Sequence, residues 1–113
     1  MRLANEGRHA AATRTLLAAQ ELTDDVNLRA RIAGTLGYIK SRTGEPLEGE
    51  RLCVAAMALP GINAHTYALL AGQLGALAEQ AGRYDDSEKW LTQGIEALQD
   101  DSAELANLLI NRS

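Results

Sequence analysis

The sequence predicts an all-α protein of about six helices, paired into antiparallel hairpins that stack as a right-handed solenoid with a period of 37–38 residues. Three observations predict it. The 113 residues include 20 Ala and 18 Leu, against 7 Val and Ile together and no Phe, a composition that favours helix over strand. Ala33-Gly34-Thr35-Leu36-Gly37 recurs as Ala71-Gly72-Gln73-Leu74-Gly75, and the same offset of 38 pairs Ala30 with Ala68, Gly44 with Gly82 and Glu50 with Glu88. Asp25, Asn63 and Asp101, all strong helix-capping types, are spaced by 38 and 38. Self-similarity at such a period marks a stack of supersecondary units, none of which can bury its apolar face alone.

Taken in order, residues 1–24 form a partial unit in which Gly7 falls at the position of a hairpin turn and a helix runs over roughly 9–22. The unit 25–62 opens on the Asp25 cap, runs helical to Gly44 and restarts at Pro46, a residue suited to the first turn of a helix. Its second helix covers roughly 46–59, and Pro60-Gly61 breaks the chain before the next unit. The unit 63–100 repeats the pattern from the Asn63 cap to Gly82, with a second helix over roughly 84–98. Residues 101–113 form a partial unit in which Asp101 and Glu104 have the spacing of a capping box. Short turns inside each unit make its two helices antiparallel. The Gly34/Gly37 and Gly72/Gly75 pairs, each Gly unfavourable by about 1 kcal/mol relative to Ala within a helix, read as sites of close helix packing. Their mid-helix position argues against a phosphate loop, which needs glycines beside a helix N-terminus.

Composition excludes several functions. Eleven Lys and Arg against 15 Asp and Glu give a net charge of −4, opposite to the footprint of a nucleic-acid binder. The longest apolar run, Leu52 to Leu59, is too short for a membrane span, and the charged N-terminal residues do not resemble a secretory signal. A cytoplasmic location is the expectation. One Cys and two His offer no zinc cluster. The acidic pairs Asp24-Asp25, Asp85-Asp86 and Asp100-Asp101 lack calcium-loop spacing and suit helix N-termini. His9 and His65 lie in different units with no nucleophile arranged around them, and Cys53 falls on the apolar stripe of a second helix beside Leu52 and Ala56. No catalytic residue, metal or cofactor is expected. Trp90 and Tyr84 read as side chains packed between helices.

In the third unit, Leu74-Gly75, Gly82-Arg83-Tyr84, Ser87, Leu91 and Gly94 follow the order of the tetratricopeptide repeat, and the second unit offers Leu36-Gly37, Gly44-Glu45-Pro46, Gly49, Cys53 and Ala56. The chain resembles that family over nearly its whole length. It departs in having Pro46 and His9 where the pattern has Tyr, Ala33 and Ala71 where it has Trp, and a period longer by four residues. The Gly-Arg turns and the Leu-Leu-x-Asn-Arg ending are also similar to repeat arrays of actinobacterial proteins, including those preceding caspase-like CHAT protease domains. The tetratricopeptide resemblance implies a non-catalytic protein-interaction module whose first helices line a concave face. Arg31, Thr35, Tyr38 and Arg42 would come from the second unit, Gln73 and Gln80 from the third, and Asn107 and Asn111 from the last helix. The family's carboxylate clamp is not reproduced, since Gly34, Tyr38, Gln73 and Leu69 stand where its polar groups would. Leu105, Leu108, Leu109 and Ile110 make an amphipathic helix without a covering partner, so the chain is expected to belong to a longer array or to form homo-oligomers through its ends. A protein or peptide partner is thus expected. A regulatory segment of a CHAT-type protease and a purely structural oligomerisation module are the alternatives.

Overall fold

The computed structural model describes residues 2–112, with the side chains of residues 7–107. It contains α1 (Arg2–Leu22), α2 (Val26–Arg42), α3 (Pro46–Met57), α4 (Ala64–Gln80) and α5 (Tyr84–Arg112), with no strand among the described residues.

The capping signals act as their chemistry requires. Asp25, in extended backbone, accepts at Oδ1 from the amides of Asn27 at 2.9 Å and Leu28 at 3.4 Å. Asn63 accepts from the Thr66 amide at 2.8 Å, and its own amide donates to Asn27 Oδ1 at 2.8 Å, which ties the start of α4 to the first turn of α2. Both hairpin turns close alike. The Glu45 amide donates to the Lys40 carbonyl at 2.8 Å and the Arg83 amide to the Ala78 carbonyl at 2.8 Å. Each closure wraps a glycine in the left-handed region, Gly44 at φ 92° and Gly82 at φ 78°, as a Schellman motif demands.

Two expected breaks are absent, so there are five helices rather than six. Gly7 lies inside α1, and α5 runs through Asp101 without interruption, so neither the Gly7 turn nor the Asp101 cap forms. The reason is local. The break between α3 and α4 uses Pro60 and Gly61, the latter at φ 89°, whereas the residues 38 positions later are Leu98 and Gln99, which a helix accommodates at little cost. Gly7 likewise stands alone ahead of Ala10, Ala11 and Ala12, with no proline to stop the helix. A lone glycine costs about 1 kcal/mol in a helix and does not end one.

The packing centres on α4. Helices α2 and α3 form one antiparallel pair and α4 and α5 the other, while α4 also contacts α2 and α3 and α1 lies against α2. Cys53, Leu74 and Leu77 form one buried cluster with Met57 and Trp90 beside it, and Ala30, Ala56 and Leu70 form the second with Ala33, Met57 and Ile62. Close approach is made at glycines. A Cβ on Gly37 would lie 2.7 Å from the Gly49 carbonyl oxygen, and one on Gly94 would lie 3.3 Å from the Ala71 Cβ. Gly34 is closed over by Leu70 and Gln73 of α4. Gly72 departs from the expected packing: nothing lies within 4 Å of its Cβ position, because among the described residues no helix stands against that side of α4 as α4 stands against Gly34. Tyr84 is exposed rather than packed between helices, while Trp90 is half-buried. The radius of gyration of 16.3 Å exceeds the about 13 Å of a compact domain this size, consistent with extents of 60 × 37 × 21 Å.

Candidate interaction surface

Helix α2 buries Ala30, Ile32, Gly34, Leu36, Gly37 and Ile39 and leaves its opposite side free. Arg31, Thr35, Tyr38 and Arg42 all lie there, exposed, and the spacing of 4, 3 and 4 residues aligns them in a single stripe. Thr35 donates its hydroxyl to the Arg31 carbonyl at 3.1 Å. The Arg42 guanidinium stands 6.0 Å from the Tyr38 ring centroid, at the outer limit of a cation–π attraction. This stripe is rich in the side chains that anchor protein interfaces, an aromatic ring and guanidinium groups.

At its C-terminal end the stripe runs into a groove of about 1060 Å³ between α1, the last turn of α2 and the end of α4. Arg42 and Gln80 meet there, joined by His9, Thr13 and Arg14 from α1 and Lys40 from α2. Lys40 pairs with Glu45 at 3.3 Å. Among the described residues Arg14 and Arg42 have no carboxylate partner, which leaves the groove electropositive in an acidic protein. Lys40 and Arg42 also suit the C-terminal end of α2, where the helix dipole favours cations. The contribution of α1 is not legible in the sequence, where the expected turn at Gly7 would end the preceding helix just before His9. A continuous α1 instead carries His9 and Thr13 on successive turns, with Arg14 next to Thr13, along the wall of the groove.

Gln73 occupies a different setting. It is half-buried in the α2–α4 seam, where Oε1 lies against Gly34 and 3.9 Å from the Cys53 thiol. Asn107 is exposed on α5, at the opposite end of α4 from Gln80, because the two helices run antiparallel and Gly94 already packs on Ala68 and Ala71. The structure therefore brings Arg42 and Gln80 together and holds Asn107 apart. Leu105 is 58% exposed. The side chains of Leu108, Leu109, Ile110 and Asn111 lie outside the described residues.

Cys53 is fully buried, and desolvation, with a smaller effect from Glu50, pushes its thiol up to about 11. A thiol so placed stays protonated at neutral pH and packs as a small apolar group. Among the described residues no three His, Cys, Asp or Glu gather as a metal site, and no helix is long and apolar enough to cross a membrane. Searches against family models, curated proteins and solved structures return no match to this chain.

Proposed function

We propose that this chain is a non-catalytic protein-interaction module, a tetratricopeptide-like stack of helical hairpins in the cytoplasm, with a peptide or partner helix as its ligand and neither nucleic acid nor membrane as a target. The stack accounts for the offset of 38 residues, for the identical closure of the turns at Gly44 and Gly82, and for the contact of α4 with both helices of the preceding pair. The observation that carries the functional reading is the exposed stripe Arg31, Thr35, Tyr38 and Arg42 leading into the groove that Gln80 and α1 complete. An exposed stripe of aromatic and guanidinium groups contributes little to folding, since surface substitutions usually change stability by less than about 0.5 kcal/mol. It is suited to an extended or helical partner laid along α2.

The test is a combined Arg31→Ala, Tyr38→Ala and Arg42→Ala variant. Its melting temperature should stay close to that of the parent, while binding of peptides selected from a random displayed library should fall at least tenfold. Equal binding by the two proteins would remove this face from consideration.

A further inference from the structure

The chain is electrically polarised. Residues 1–42 hold seven Lys and Arg against four Asp and Glu, while α5 holds two against seven. Three of the positive groups, Arg14, Lys40 and Arg42, line the groove, and Arg14 and Arg42 have no carboxylate partner among the described residues. The negative helix is the one that outruns its partner. From the packing of Gly94 on Ala68 and Ala71, the N-terminus of α4 falls beside residues close to 100, and residues 101–107 are exposed.

Leu91, Ile95, Leu98 and Leu105 are all exposed and recur at helical spacing along one side of α5, with Asp101 on the flank of that stripe. On α1 the groove is lined by Ala10 and the cationic Arg14, and the exposed Leu17, one turn beyond the groove, continues the same face. Pairing α5 with α5 would instead set two strongly acidic helices side by side.

We infer that the groove's occupant is α5 of a second copy of this chain. The C-terminal part of α5 of one copy, from Leu98 onwards, lies along α1 and the ends of α2 and α4 of the next, with Leu98 and Leu105 against Ala10 and Leu17 and with Asp101 and Glu104 facing Arg14 and Arg42. This assignment rests on the interaction reading above and names its partner. Because the two mating surfaces differ, the contact is heterologous and each copy keeps one free groove and one free α5, so association propagates head to tail.

Sedimentation of the full chain at micromolar and higher concentrations tests it. The parent should form species heavier than the 12.1 kDa monomer, and raising the salt concentration should weaken them. Arg14→Glu with Arg42→Glu blocks the groove, and Leu105→Glu blocks α5. Each variant alone should be monomeric with an unchanged helical spectrum, since all three residues are exposed, and an equimolar mixture of the two should form a 1:1 dimer that cannot extend, because each retains the half the other lacks. A monomeric parent, assembly that survives the groove substitutions, or a mixture that stays monomeric would overturn the proposal. A monomeric parent that still binds library peptides through the α2 stripe would sink only the choice of partner. A parent that neither assembles nor binds peptides would sink the interaction reading as well.

Discussion

Replacing Gly37 with Leu should destabilise the chain by about 1–3 kcal/mol despite the better helix propensity of Leu. The new Cβ would come 2.7 Å from the Gly49 carbonyl oxygen and 2.9 Å from Cys53 Sγ. Neither can yield readily, since the Gly49 contact is backbone in the first turn of α3, close behind the Gly44 turn, and Cys53 is fully buried beside Leu74. The α2–α3 pair must then separate, opening the core at its tightest point. Gly72→Ala is the informative control. Nothing lies within 4 Å of that Cβ position, so this variant should gain roughly 0.5–1 kcal/mol from helix propensity alone. Urea unfolding of both variants reads the contrast, and a neutral Gly37→Leu would mean that the two helices do not meet as described.

Alkaline pH should weaken the fold through Cys53. Burial raises the folded-state thiol from its ordinary 9.0 to about 11, so between those values the unfolded chain releases a proton that the native chain keeps. Stability is then fully present below pH 9 and falls as pH rises towards 11, by about 2 kcal/mol at pH 10.5. Other groups titrate in the same range, so the quantity to measure is the difference from Cys53→Ala. The parent's stability relative to that variant should decline between pH 8 and pH 10.5, and a constant difference would show that the thiol is not desolvated. The same burial should protect Cys53 from alkylation in the native protein at pH 8.

Signals that act within a few residues were legible in the sequence. Asp25 and Asn63 cap because a side-chain oxygen two or three residues from a free amide has only one geometry to satisfy, and Gly44 and Gly82 end helices because each closure needs a residue at positive φ. The period alone misled where the chemistry lapsed: at Gly7 and Asp101 the register of the repeat was present, but the Pro60-Gly61 chemistry that breaks the chain was not. Gly72 failed for a second reason, since a packing glycine is defined by what approaches it and the sequence does not show that Gly34 receives Leu70 and Gln73 while Gly72 receives nothing. The α2 stripe was readable from helical spacing. The groove was not, because it depends on α1 continuing straight and bringing Arg14 against the end of α2.

The central claim is that the exposed side of α2 and the groove at its end form the interaction surface. Amide hydrogen exchange of the full chain, with and without a peptide recovered from a displayed library, tests it most directly. Added protection should concentrate in residues 35–43 of α2 and its C-cap and around Gln80, with a smaller effect over residues 9–14 of α1. Protection confined to α3, or spread evenly over every helix, would contradict the claim.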